Sequence, residues 1–282
     1  MTTPANPLSA PPRFDSSSAW TEASAAVTAN REVLLALAGV FLVLPAFAMG
    51  MLVPGPPAQE GATVQALLAT MGQYYQSAAP VLIAVALVHV IGTLAMLALF
   101  TDHARPTVAE AIKRGFACAP TVIMAQIILG AAVGAMVLLP VALGGAAKAP
   151  AIAALGMLAA LVLGLWAMIR LSLVSPAVVA ESQRNPVKAM ERSWRLTEGN
   201  TARLLAFYVL LGLAFIVVMV VAEGATKLLL TLLAGEKFAD IAAMLVGSVF
   251  QAAMAVYFVA VSAAVFRQLS GSAGRTVAGQ FK

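Results

Sequence analysis

Residues that could carry chemistry are few in this sequence, and most are single polar side chains within long apolar runs. His89, Gln126 and Gln251 each lie inside such a run, and Arg170 lies at the end of another. A polar or ionisable residue in a membrane-spanning helix is a functional candidate by default. His89 could transfer a proton or contact a solute, but a histidine or glutamine with no evident polar partner more often joins two helices by a hydrogen bond. We therefore favour interhelical packing for these three residues, and we expect Arg170 to extend to the cytoplasmic headgroups.

The sequence lacks the residue sets that hydrolysis or ion-coupled transport would need. It contains no cluster of metal ligands, no Ser/His/Asp set, no phosphate-binding glycine loop and no paired intramembrane carboxylates. Such sets are the recognisable signs of a catalytic or ion-coupling site. We therefore predict that the chain is not an enzyme, holds no metal and uses no cofactor.

The densest group of charges follows Asn185-Pro186. Asparagine is a favoured N-cap and proline a favoured first helical residue, whereas Gly199 supplies a stop. The spacing predicts an amphipathic helix on the inner membrane surface, with an apolar side formed by Val187, Met190 and Trp194. Cations beside an anionic leaflet gain about 1 kcal/mol each. The residues predicted to contact lipids or a partner in this segment are Arg184, Lys188, Arg192, Trp194 and Arg195.

A second segment, which precedes the third apolar run, follows the same plan. Thr107-x-x-Glu110 has the spacing of a capping box, and Val108, Ile112 and Phe116 oppose the charged residues. Three of its residues join the predicted lipid or partner contacts: Lys113, Arg114 and Phe116. The N-terminal segment around Trp20 suggests a third copy, so the pattern suggests a threefold repeat of interfacial helix and transmembrane hairpin.

Composition and hydropathy indicate that the chain lies in a membrane, next to which these amphipathic segments must lie. Of the 282 residues, 61% are apolar and 10% charged, whereas a soluble domain carries about 25% charged residues. A spanning helix needs about 20 apolar residues. Such runs lie near 33–53, 79–101, 119–143, 150–170, 204–222 and 241–266. The predicted fold is all-α and polytopic, with a polar tail over 1–18, a six-helix membrane domain over 19–266 and a cytoplasmic tail over 267–282.

Three further expectations concern packing and the outer loops. Gly130-x-x-x-Gly134 in the third run permits close approach of another helix, and we expect packing there. We predict that the segment from Gln65 to Tyr75 forms a short helix at the outer surface. Glu223 and Lys227 are spaced as an i,i+4 ion pair.

The basic residues are distributed as an orientation signal. With the N-terminus inside, fourteen of the seventeen Lys and Arg residues lie on the inner side, as the positive-inside rule requires. We therefore predict a multi-pass protein of a bacterial cytoplasmic membrane with both termini cytoplasmic. Because topology explains the basic excess, we predict no nucleic-acid binding.

One stretch of the sequence resembles a known family. Residues 175–181 (SPAVVAE) and 185–200 (NPVKAMERSWRLTEGN) resemble the membrane domain of glycerophosphoryl diester phosphodiesterase and the related YciC-like inner-membrane proteins. The resemblance implies a multi-pass membrane fold. The family is named for members in which this module is joined to a soluble phosphodiesterase barrel. The 282 residues leave no room for that barrel and lack its paired histidines and metal-binding carboxylates, so the resemblance does not carry the activity over.

Two functions remain open from the sequence. The first is a non-enzymatic membrane module that contacts lipids, with anionic headgroups at the cytoplasmic face as candidates, or an unidentified protein partner. The alternative is a permease for a small or amphiphilic solute, with a path along His89, Gln126 and Gln251.

Overall fold

The computed structural model describes residues 13–53, 55, 64–101, 107–146 and 148–271, and every regular element in these ranges is helical. The predictions for the first twelve and the last eleven residues lie outside this part of the chain. The helices are α1 (Ser16–Ala29), α2 (Arg31–Ala38), a π-helix (Gly39–Val43), α3 (Leu44–Leu52), α4 (Val64–Thr101), α5 (Val108–Ala146), α6 (Pro150–Arg170), α7 (Val174–Glu181), α8 (Pro186–Leu196), α9 (Thr201–Ala234) and α10 (Glu236–Leu269). The all-α prediction is confirmed.

Six helical segments in the described residues are long and apolar enough to cross a membrane. They are Arg31–Leu52, Ala69–Thr101, Val108–Ala146, Ala151–Glu181, Thr201–Ala234 and Glu236–Leu269. Four of them contain a run predicted from hydropathy, and the other two, Arg31–Leu52 and Ala151–Glu181, miss only one end residue of the predicted runs 33–53 and 150–170. The prediction of a six-span polytopic protein is therefore confirmed.

Several helices are longer than the sequence predicted. The expected outer helix over 65–75 is the first part of continuous α4, and the expected interfacial helix before the third span is the first part of α5. The capping box at the start of α5 is present: the Thr107 N–H donates to Glu110 Oε2 (2.8 Å), and the Glu110 N–H donates to Thr107 Oγ1 (3.3 Å). Gly115, between this first part and the span, does not take the positive φ of a helix stop, and α5 continues through it. The threefold repeat stays a prediction.

The turn between α9 and α10 corrects another expectation. It is formed by Gly235, whose φ of +88° favours glycine. This tight turn sets the two helices antiparallel, and Lys227 Nζ lies 2.8 Å from Asp240 Oδ1 on α10. The predicted Glu223–Lys227 pair is wrong, because the neighbouring helix offers Lys227 a carboxylate.

Two compact units are present. The first contains the described residues of Met1–Ala25, Pro120–Leu210 and Ala260–Lys282. In it, Asp15 caps α1 by accepting from the N–H groups of Ser17 and Ser18, and the hydrogen bond from the Ser17 hydroxyl is the main reason why the pKa of the Asp15 carboxyl is lowered. Glu22 pairs with Arg267 at 2.7 Å. These contacts fix the N-terminal helix to the end of α10.

The second unit contains Ala26–Ala119 and Leu211–Val259. Its helices approach closely where a glycine removes a side chain. A Cβ at Gly115 of α5 would lie 2.8 Å from the carbonyl oxygen of Ile91 and 3.0 Å from the nitrogen of Ala95, both on α4. Backbone therefore packs on backbone at this crossing, as small residues permit in membrane helices.

Candidate functional site

Helix α8 begins as the sequence predicted. The Asn185 side chain accepts hydrogen bonds from the N–H groups of Val187 (3.0 Å) and Lys188 (3.2 Å), and Pro186 is the first helical residue. Gly199 lies just beyond the helix with a φ of +76°. The Thr121 hydroxyl of α5 donates to the carbonyl of Arg184 (3.2 Å). The start of α8 is thus fixed by its own cap and by a neighbouring helix of the same unit.

Asn185→Ala should lower the free energy of unfolding by about 1 kcal/mol, because two N–H groups at the start of α8 lose their acceptor. The measurement is unfolding of the purified protein in mixed detergent micelles, followed by circular dichroism. Asn185→Asp should retain most of the stability, since a carboxylate accepts the same bonds. Equal stability of the alanine variant and the wild type would contradict the capping role.

The buried side of α8 differs from the expected one. Ala189 and Ser193 are fully buried, whereas Val187 is 61% exposed. The Ser193 hydroxyl donates to the carbonyl of Arg170 (2.8 Å) and accepts from the N–H of Leu173 (3.1 Å), and Thr197 Oγ1 lies 3.2 Å from the same carbonyl. These hydroxyls satisfy backbone groups left open where α6 ends. The small side chains at 189, 193 and 197 are spaced four residues apart, and this spacing could have predicted the buried face from the sequence.

The Arg170 side chain is enclosed by two tryptophans. It is 8% exposed, and its guanidinium carbon lies 4.5 Å from the ring centroid of Trp194 and 5.5 Å from that of Trp166. The two indole rings meet edge to face at 4.8 Å. A guanidinium over an aromatic face is attracted by the ring electrons, more strongly where water is excluded. We call these three residues the Arg170 cluster.

The expectation that Arg170 extends to the headgroups is therefore wrong. Within the described residues, its buried Nε makes no hydrogen bond. Trp166 and Arg170 are four residues apart on α6 and so share a face. This spacing could have predicted their contact from the sequence. The contribution of Trp194, 24 positions further along the chain, required the tertiary structure.

The exposed cations of this region fall into two pairs with different environments. Arg192 Nε lies 2.9 Å from Glu181 Oε1, and an Arg195 guanidinium nitrogen lies 2.6 Å from Glu191 Oε1. Arg184 and Lys188 are exposed and make no ion pair within the described part of the chain. Of the four predicted basic contacts, two are thus locally neutralised and two are available to an external anion.

The second predicted contact segment lies on α5. Lys113 and Phe116 are exposed, Phe116 at 56%, and Arg114 is half-buried. The face that packs is formed by Ala111 and Gly115. Lys113, Arg114 and Phe116 therefore remain predicted contacts on a helix whose opposite side is packed.

The three intramembrane polar residues have different surroundings in the described part of the chain. His89 donates from Nε2 to the carbonyl of Leu42 (3.3 Å), which joins α4 to the π-helix as a packing role requires. Gln126 and Gln251 have exposed side chains and make no hydrogen bond within the described residues. The permease alternative stays a prediction.

The comparisons with known proteins bear on this region. Residues 145–276 match a family model described as the membrane domain of glycerophosphoryl diester phosphodiesterase. The matched range contains the Arg170 cluster and all of α8, and it confirms the resemblance predicted from the sequence. No curated protein and no solved structure matches the chain.

Proposed function

We propose that this chain, a multi-pass membrane protein whose residues 145–276 match that membrane domain, is a non-enzymatic module that binds anionic lipid headgroups at the start of α8. The distribution of Lys and Arg supports a bacterial cytoplasmic membrane with both termini in the cytoplasm. The non-enzymatic part of the proposal rests on the lack of a catalytic residue set in the sequence.

The observation that carries the proposal is the pair of cations that the fold leaves without carboxylates. Arg184 and Lys188 are exposed, whereas Glu181 and Glu191 neutralise Arg192 and Arg195. Arg184 lies two residues before α8 begins, and Lys188 lies in the first turn of that helix. This pair, which we call the Arg184–Lys188 pair, can therefore approach one phosphate or two neighbouring ones.

The surroundings of the pair support a lipid surface as the ligand. Val187 lies between the two cations in sequence and is 61% exposed. Helix α8 begins five residues after the candidate span Ala151–Glu181 ends, and its Ser193 is hydrogen-bonded to Arg170 of that span. A cation beside an exposed valine at the end of a span is typical of an interfacial helix that meets headgroups and the first acyl carbons.

Arg184→Gln/Lys188→Gln should weaken binding of phosphatidylglycerol to the detergent-purified chain. Loss of two cations near an anionic surface costs about 2 kcal/mol, or roughly thirtyfold in affinity. The measurement is a titration of the chain in detergent micelles with phosphatidylglycerol, compared with the same titration with phosphatidylcholine.

The matched control is Arg192→Gln/Arg195→Gln, which removes the same formal charge from α8. Because these two cations are already paired, their loss should change affinity much less. Equal losses in the two double variants would overturn the assignment to the Arg184–Lys188 pair. Unchanged lipid binding in the first variant, together with loss of a co-purifying protein, would replace the lipid by a protein partner.

A further inference from the structure

A groove with a volume of about 420 Å³ opens in the second unit between the first span and α10. This lies in the usual size range of small-molecule sites, about 300–1,000 Å³. Its walls are apolar side chains such as Leu34 and Leu35 of α2 and Val249 and Val256 of α10, together with Gly39 and Arg31. We call this space the α2–α10 groove.

The local sequence explains why the groove is open. The chain passes through a π-helix at Gly39–Val43, and the N–H of Leu44 donates to the carbonyl of Gly39, five residues earlier. Pro45 follows at the start of α3 and has no N–H to continue the regular pattern. Wide turns of this kind are frequent at functional sites. An ideal Cβ on Gly39 would meet no heavy atom within 4 Å, so a missing side chain contributes to the space.

A basic residue at the start of α2 also lines the groove. Arg31, at the first position of α2, is the one charged residue among those that line the groove in the described structure, and it is exposed. It makes no ion pair with another described residue. The groove thus combines apolar walls with an arginine that makes no ion pair among the described residues, and this is complementary to an anion attached to a hydrocarbon chain.

The direction and length of the groove fit one leaflet of a bilayer. From Arg31 to Val43, the chain rises about 18 Å at 1.5 Å per residue, and the hydrocarbon of one leaflet is about 15 Å thick, half of a 30 Å core. The exposed apolar side chains of this span extend from Leu35 to Leu52, a length of about 26 Å at the same rise of 1.5 Å per residue. Arg31 lies one turn before that apolar band, at headgroup level.

We propose that the α2–α10 groove is a specific binding site for one anionic phospholipid, with the phosphate on Arg31 and one acyl chain along Gly39 toward Val249. A polar solute would leave its hydrogen-bonding groups unsatisfied against these walls. The site shares no residue with α8, so the proposal goes beyond the headgroup contact of the Arg184–Lys188 pair and can fail independently of it.

The test is native mass spectrometry of the full chain in detergent, titrated with phosphatidylglycerol, with phosphatidylcholine and with inorganic phosphate. Gly39→Phe fills the groove from the first span, and Val249→Trp fills it from α10, so that a folding defect in one variant leaves the other informative. Arg31→Gln removes the charge. Gly130→Phe is the matched control, because Gly130 also has open space at its Cβ but does not line the groove.

We expect the wild type to retain one phosphatidylglycerol in preference to phosphatidylcholine, with no competition from inorganic phosphate. Gly39→Phe and Val249→Trp should lower that affinity at least tenfold and Arg31→Gln about fivefold, whereas Gly130→Phe should leave it unchanged. Unaltered retention in both groove-filling variants would overturn the site. So would loss in Arg184→Gln/Lys188→Gln alone, which would assign the lipid to α8, or a lipid-free dimer that Gly39→Phe converts to a monomer, which would assign the groove to a second copy.

Discussion

Trp194→Ala should lower the free energy of unfolding by about 3 kcal/mol, within the range seen when large aromatic side chains are truncated. The indole meets Trp166 edge to face at 4.8 Å and lies 4.5 Å from the Arg170 guanidinium carbon. Its removal loses an aromatic pair worth about 0.5–1.5 kcal/mol and leaves a buried cation with one aromatic face fewer. The measurement is equilibrium unfolding in mixed micelles, followed by near-ultraviolet circular dichroism and by the remaining tryptophan fluorescence.

A double-mutant cycle separates the charge from the packing. In an Arg170→Met background, Trp194→Ala should cost about 1–2 kcal/mol less than in the wild type, since no buried charge remains to be stabilised. Trp194→Phe should retain most of the stability, and Trp20→Ala, at a tryptophan that is 40% exposed, serves as a comparison. Additive costs in the cycle would show that the cluster is held by packing alone and would contradict the cation–π account.

Gly115→Leu should destabilise the protein by about 3 kcal/mol, at the upper end of the cost of overpacking. The first added atom alone would lie 2.8 Å from the Ile91 oxygen and 3.0 Å from the Ala95 nitrogen. These are backbone atoms and cannot move aside by rotating a side chain, so α4 and α5 would have to separate. The expected result is a lower unfolding midpoint and a smaller monodisperse fraction on gel filtration.

Gly134→Leu is the matched control on the same helix. No heavy atom lies within 4 Å of an ideal Cβ at Gly134, and replacing glycine within a helix gains up to about 1 kcal/mol of helix propensity. This variant should therefore be as stable as the wild type or slightly more so. If Gly115→Leu were as stable as Gly134→Leu, the close crossing of α4 and α5 would be refuted.

Both proposals place the function at surfaces that could meet lipid. His89 is engaged by the carbonyl of Leu42, and Gln126 and Gln251 are exposed rather than directed into a described cavity. The α2–α10 groove has apolar walls, and Arg31 is the charged residue among those that line it. Amphiphilic lipids have that arrangement of charge and hydrocarbon, and both proposals therefore concern lipid.

The local features of the fold were predictable from the sequence because they depend on neighbouring residues. Six apolar runs specify six spans, since each helix satisfies its own backbone hydrogen bonds in lipid. The Asn185 cap and the Thr107–Glu110 capping box involve residues within three positions of each other. The family resemblance likewise came from a contiguous stretch of sequence.

Only the tertiary structure decided which face of each helix packs. In a membrane, the surface that meets lipid is as apolar as the surface that meets another helix, so hydropathy does not distinguish them. Gly130 and Gly134 were expected in a close contact and face open space, whereas Gly115 supplies a close contact. Val187 is exposed and Ser193 buried.

The environment of each charged side chain was also decided only by the tertiary structure. The sequence counted four equivalent cations on the α8 segment, but the fold brings Glu181 to Arg192 and leaves the Arg184–Lys188 pair without carboxylates. It also encloses Arg170 between Trp166 and Trp194, which lie far apart in the chain. The sequence by itself determined the type and number of helices through short-range hydrogen bonding and hydropathy, whereas the environment of each charge depends on residues that only the folded chain brings together.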